Sequence, residues 1–178
     1  EQNRLFIAET HRFDRGIEDN RRNWHWLRDE VGLKTTADRL ALYEKWADKK
    51  EPGYYTKYAE KIRVLEDKDG DGKAEKSWLY ADGFNDPLDG TAAGIMAANG
   101  KVYLACIPHV WMLEDKDGDG VSDERISLQE GYGISVSLSG HDLNGFAFGP
   151  DGRIYFTIGD RGYDLKTADG RHLYDQYG

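Results

Sequence analysis

The sequence predicts an all-β fold assembled from repeated units of short strands, and three observations predict it. The first is composition: among 178 residues there are 21 Gly, 11 Tyr and 5 Trp, and aromatics make up 12%. Glycine supplies tight turns, and Tyr and Trp suit pleated, half-buried strands. The second is an eight-residue repeat, LEDKDGDG at residues 65–72 and again at 113–120, an offset of 48. The third is a strand that recurs after a turn: NRLFIAE from Asn3, GKVYLAC from Gly100 and GRIYFTI from Gly152. The first two of these starts lie 97 residues apart, close to twice 48, and the last two lie 52 apart. Periods of about 40–50 residues with several short strands per unit are those of β-propeller blades. About three such units fit into residues 1–178, whereas a closed ring needs at least about four. The expectation is therefore an incomplete propeller, the leading part of a larger one. Duplicated acidic loops on an unrelated scaffold are the alternative, and the matching strands count against it.

The first unit carries an insertion over residues 11–60. Its opening, HRFDRGIEDNRRNWHWLRDE, is polar, Arg-rich and aperiodic, and reads as a long ordered loop over one rim; Trp24, His25 and Trp26 favour packing over disorder. A helix follows in TTADRLALYEKWADKK, with Thr35 or Thr36 as N-cap and Ala37, Leu40, Ala41 and Glu44 at helical spacing. Lys45, Lys49 and Lys50 suit its C-terminal end, and Pro52-Gly53 stops it.

The formal charge is −9, from 24 basic and 33 acidic residues, which excludes the basic footprint that nucleic-acid binding requires. Mean hydropathy is −0.76, but a chain this rich in large aromatics is not a disordered one. Cys106 is the single cysteine, so an intrachain disulfide, a CxxCH haem attachment and a Cys-based zinc site are all excluded. No signal peptide or membrane span is visible; the longest apolar-leaning stretch, residues 103–113, is broken by Pro108 and His109. The chain opens at Glu1 without Met, directly into strand-like sequence, and reads as a processed product or a fragment.

The repeat itself carries the first candidate site. Asp67, Asp69 and Asp71 precede Gly72, and Asp115, Asp117 and Asp119 precede Gly120, with Glu75 and Asp123 at the ninth position of each loop. Carboxylates on alternate residues before a turn glycine are the pattern of a calcium loop, since Ca²⁺ takes six to eight hard oxygens in flexible geometry. The twelfth position, a bidentate Glu in an EF-hand, is Trp78 in one loop and Ile126 in the other, so these are not EF-hands. We read them as two structural Ca²⁺ sites in turns between strands, weak enough to suit extracellular calcium. A metal-free acidic turn is the plain alternative. Residues 66–75 carry −3 and residues 114–124 carry −5, so the two loops hold almost all of the net charge.

The second candidate site comes from a hairpin. Gly149-Pro150-Asp151-Gly152 fits a type I turn, and pairing Gly149 with Gly152 makes residue i face residue 301 − i, unless a bulge shifts the register by one. His141 then faces Asp160. Phe146, Phe148 and Tyr155 fall on one face and Leu143, Ala147, Ile154, Phe156 and Ile158 on the other, so both faces are expected to be buried, with His141 and Asp160 at the open end. A carboxylate beside an imidazole orients the ring and stabilises its protonated form, as a general base requires; a structural His–Asp pair is the alternative. The same offsets make Arg12, His109 and Arg161 equivalent, and together with the pair they are expected to form a polar rim for an anionic cofactor or a polyol. Loop solvation at strand ends is the plain alternative.

His141 followed after seven residues by GPDGRIYFTIGDRG resembles the signature of glucose/sorbosone dehydrogenase-type six-bladed propellers. That resemblance implies His141 as the base that removes a sugar hydroxyl proton, Asp160 as its partner, and hydride transfer to pyrroloquinoline quinone (PQQ). The match fails at Gly145-Phe146, where those enzymes carry Arg-Leu, and at Asp142, where they carry Gln. Over nearly the whole chain, ETHRFDRGIEDNRRNWHWL, TTADRLALYEKW, DGDGKAEKSWLYADGFNDPLDGTAAG and LACIPHVWMLEDKDGDGVSDERISL resemble the membrane-bound dehydrogenase-like propeller of planctomycete-type (PVC-type) haem-binding proteins. This implies a six-bladed propeller in a periplasmic or secreted protein. Haem c and any membrane attachment would belong to parts outside this chain, and an electron acceptor would be a cytochrome c domain or protein.

Two functions follow as expectations. One is a sugar or polyol dehydrogenase module using His141 and Asp160, with Arg12, His109 and Arg161 near substrate or cofactor. The other is a non-catalytic, calcium-stabilised extracellular propeller that binds carbohydrate or a protein partner. The channel carboxylates and Asn of a metal-dependent lactonase-like propeller are not seen.

Overall fold

The computed structural model describes residues 3–178. It is all-β in class, a series of small antiparallel sheets. Strand β1 (Arg4–Glu9) pairs with β2 (Glu60–Glu66), which pairs with β3 (Lys76–Phe84). Strands β4 (Gly94–Ala98), β5 (Lys101–Cys106), β6 (His109–Glu114) and β7 (Glu124–Glu130) form a four-stranded meander. An offset of 97 carries β1 onto β5, and an offset of 48 carries the start of β3 onto that of β7, so the sequence repeat is a structural one. The acidic loops are the β2–β3 and β6–β7 connections. The third unit is different: it comprises two separate hairpins, β8 (Leu143–Phe148) with β9 (Ile154–Ile158), and β10 (Tyr163–Lys166) with β11 (His172–Asp175).

The buried apolar residues described gather into three cores. Strand alternation sends Val102, Leu104 and Cys106 of β5 to one side, where they meet Ile62 and Val64 of β2 and Tyr80 and Phe84 of β3. Ala105 points the other way, into a second core with Ile107, Val110, Tyr132, Leu143 and Leu165. β5 is thus covered on both faces, and each fully buried aliphatic side chain contributes about 1.5–3 kcal/mol. The third core belongs to the β1–β2 connection, which holds the insertion expected over residues 11–60, and there Trp26, Leu33, Leu42 and Tyr43 close over Val136.

Within the insertion, α1 (Leu27–Glu30) is a single turn and α2 (Thr36–Lys45) is the expected helix. Thr35 caps α2: its side chain accepts from Asp38 N, and the Asp38 carboxylate accepts from Thr35 N. The buried residues of α2 are Arg39, Leu42 and Tyr43. Arg39 is buried with its guanidinium donating to Leu88 O at 2.8 Å, which no count of apolar residues reveals. Short 3₁₀ turns at Asn20–Arg22 and Trp24–Trp26 fold the Arg-rich segment. Trp26 is fully buried, its indole N–H donating to Asn20, while Trp24 remains exposed.

The β8–β9 hairpin keeps the expected pairing at its open end by way of two compensating irregularities. Gly152 donates to Gly149 O and adopts φ 76°, and Gly149 N then bonds to Arg153 O, so near the turn Phe148 faces Ile154 and Ala147 faces Tyr155. A second shift at Gly145, with φ 69°, restores the partnership of Asn144 with Thr157 and Leu143 with Ile158. The second bulge also overturns the face assignment. Phe146 lies against Phe156, ring centroids 5.7 Å apart, on the side of the second core, while Phe148 and Tyr155 are exposed. The hairpin is therefore covered on one face, not two.

Candidate functional site

The restored register brings His141 and Asp160 together. His141 Nδ1 lies 3.0 Å from Asp160 Oδ1, and both side chains are nearly half exposed. An ionised carboxylate only accepts hydrogen bonds, so the facing Nδ1 is the donor to it, and in the neutral form of the ring this leaves the lone pair on Nε2.

The next residues in sequence after His141 and Asp160, Asp142 and Arg161, make a second pair that is fully buried. Arg161 Nη1 donates to Asp142 Oδ1 at 2.5 Å, and Asp142 Oδ2 accepts from Thr91 N at 2.7 Å and Thr91 Oγ1 at 2.6 Å. Burial pushes the Asp142 carboxyl up, but the Arg161 charge and these hydrogen bonds outweigh it and hold it below the usual carboxylate range.

Arg12 is also fully buried. Its guanidinium donates to the carbonyls of Asp89 at 2.7 Å, Tyr55 at 2.8 Å and Asp86 at 3.0 Å. Glu60, with no exposed surface, accepts from the backbone N–H groups of His11, Arg12 and Ala92. Together with Arg39, these residues tie the insertion to the segment over residues 86–92, and Thr91 ties that segment to Asp142. Asp89 is buried here, which pushes its carboxyl up to about 6.

The polar rim expected from Arg12, His109 and Arg161 is accordingly not formed. Two of the three are core groups whose guanidiniums are turned to backbone carbonyls and a carboxylate. His109 opens β6: its Nδ1 is 2.9 Å from Ser127 Oγ, its ring lies 4.3 Å from that of Trp111, and burial lowers its pKa.

In the first acidic loop, Asp67, Asp69, Asp71 and Glu75 each offer an oxygen within 4.8 Å of the others. In the second, Asp115, Asp117 and Asp123 do so, and Asp119 lies outside the group. Both groups can hold a metal ion. The loops are preformed by their own carboxylates: Gly70 N and Gly72 N donate to Asp67, and Gly118 N and Gly120 N to Asp115. Trp78 links the repeats, its indole N–H donating to Gly120 O at 2.7 Å.

A family model described as a domain of unknown function (DUF7133) matches residues 1–176. The chain belongs to this family. No curated protein and no solved structure matches it. In this DUF7133 chain, no helix among the described residues is long and apolar enough to cross a membrane.

The sequence reading missed Glu60, Asp89 and the partnership of Asp142 with Arg161. Asp142 had left a trace as the acid that follows His141 where the resembling enzymes carry Gln. Glu60 and Asp89 gave no signal, because nothing in YAEKIRV or DPLDGT distinguishes a buried carboxylate from a solvated one.

Proposed function

We propose that this chain is part of a calcium-stapled propeller that presents His141 and Asp160 as the proton-accepting pair of a sugar or polyol dehydrogenase. The observation that carries the reading is the 3.0 Å contact between His141 Nδ1 and Asp160 Oδ1, with the imidazole open to solvent. With Nδ1–H held by the carboxylate, Nε2 is the atom that receives the hydroxyl proton of a bound alcohol. Asp160 then stabilises the imidazolium that forms. The repeat of β1–β3 in β5–β7 supports the propeller architecture, and the paired acidic loops, suited to millimolar calcium, support a periplasmic or secreted location.

The alcohol carbon must lose hydride as His141 takes the proton. PQQ, the acceptor implied by resemblance, needs cationic groups for its carboxylates, and Arg12 and Arg161 do not fit that task, because both are fully buried and their charges are turned to Asp89 O and to Asp142, with only Arg12 Nε and Arg161 Nη2 left without a partner. No step is assigned through the quinone, and the hydride acceptor must be held by other groups. The same burial favours, as the second reading, a non-catalytic propeller that binds carbohydrate without turnover.

The test is oxidation of a panel of sugars and polyols by the purified protein with Ca²⁺, PQQ and an artificial electron acceptor. Turnover by the wild type and its loss in His141→Ala are expected. Equal turnover in the variant would refute His141 as the base, and saturable sugar binding without turnover would favour the second reading.

A further inference from the structure

We propose that the Arg-rich insertion is a positioning clamp on His141, acting chiefly through Asp19; the inference rests on the reading of His141 as a proton acceptor. His141 leaves a turn in which its own N–H donates to Leu138 O at 3.2 Å. Ser137 in that turn has φ 46°, a left-handed conformation that a non-glycine residue keeps only when its surroundings enforce it. The insertion enforces it from both sides: Asn20 N donates to Ser137 O at 2.9 Å, and Ser137 N donates to Glu30 Oε1 at 3.2 Å.

Asp19 completes the hold. Its Oδ2 accepts from both the backbone N–H and the hydroxyl of Ser139, each at 3.0 Å, across 120 residues of sequence. The Asp19 side chain is only 2% exposed and also accepts from Arg21 N, Nε and Nη2. The Arg21 guanidinium and the Ser139 donors hold its carboxyl well below the usual range, so the anion persists throughout the neutral region.

On the far side of His141, Asp142 is locked by Arg161 and Thr91. The backbone of His141 is thus fixed before and after the residue, and Asp160 orients its ring. A proton acceptor needs its atom placed to within about half an ångström, and a misplacement of about 1 Å costs about a hundredfold in rate. The insertion adds no group to the reacting atoms; it sets where His141 Nε2 stands.

The experiment reads the His141 tautomer from ring ¹⁵N shifts in the wild type and in Asp19→Ala, together with steady-state sugar oxidation. The wild type is expected to hold one neutral tautomer, protonated on Nδ1. The folded variant should mix both tautomers and lose about ten- to a hundredfold in kcat with little change in KM. Asp19→Asn, which keeps an oxygen for Ser139 N, should restore most of the bias. Ser139→Ala removes one of the two contacts and should show a smaller shift, so it reads the clamp even where Asp19→Ala fails to fold. Wild-type tautomer populations in folded Asp19→Ala, or in Ser139→Ala if that is the only one of the two to fold, would overturn the clamp. A tautomer shift without wild-type sugar turnover would refute the dehydrogenase reading while leaving the clamp intact.

Discussion

Asp142 and Arg161 form a fully buried ion pair, each the next residue in sequence after a member of the exposed pair of His141 and Asp160. The arrangement separates two tasks. The buried pair has no access to solvent and serves the fold, while the exposed pair has a ring nitrogen to offer. Burying two charges is costly, and their mutual attraction offsets that cost, so removing one partner strands the other.

Asp142→Ala should therefore cost about 3–5 kcal/mol, measured by urea denaturation at neutral pH. Replacing both members with apolar residues, Asp142→Leu with Arg161→Met, should cost less than the single change. Because the folded-state pKa of Asp142 is depressed, its contribution is present above the unfolded value near about 4 and is lost as pH falls through the folded value. The double variant should lack that component of acid sensitivity.

Asp89 has the opposite sign. Burial raises its carboxyl to about 6, so its proton is held more tightly in the folded state, and stability is lost as pH rises from about 4 through 6. The penalty at neutral pH is on the order of 2–3 kcal/mol. Asp89→Asn keeps an oxygen for the Asp86 N–H, which now donates to Asp89 Oδ2 at 2.9 Å. It should raise the denaturation midpoint at pH 8, leave it nearly unchanged at pH 4, and flatten the profile between them.

Calcium should stabilise the chain through two unequal loops. The first gathers four carboxylates and the second three, and affinity follows ligand charge. Calorimetric titration should resolve a tighter and a weaker site, the tighter lost in Asp67→Ala and the weaker in Asp115→Ala. Asp119→Ala should weaken the second site less than Asp115→Ala does. Saturation at about 100 times Kd should add about 2.7 kcal/mol per site. Trp78 fluorescence should respond to the second site, because its indole N–H is bonded to Gly120 O in that loop.

What was legible in the sequence was what local pattern and repetition encode. The eight-residue repeat located two equivalent hairpin turns, the 97-residue offset superposed β1 on β5, and the turn at Gly149 located Asp160 opposite His141. Pairing survived because the shift at Gly152 is undone at Gly145. The same second bulge hid the true face of Phe146. Charges that fold inward were not legible: Arg12, Arg39 and Arg161 look like solvated or ligand-facing residues until carbonyls and carboxylates far along the chain are brought to them. The insertion's hold on Ser137 and Ser139 joins segments more than a hundred residues apart and has no local signature.

The central claim is that His141 Nε2 takes a proton from a sugar or polyol hydroxyl while Asp160 holds Nδ1. Its most direct test is the ratio of oxidation rates of His141→Ala and wild type at saturating Ca²⁺ and equal acceptor concentration. Loss of a general base predicts a fall of about 10²–10⁴-fold, with Asp160→Asn intermediate. Equal rates in wild type and His141→Ala would contradict the account.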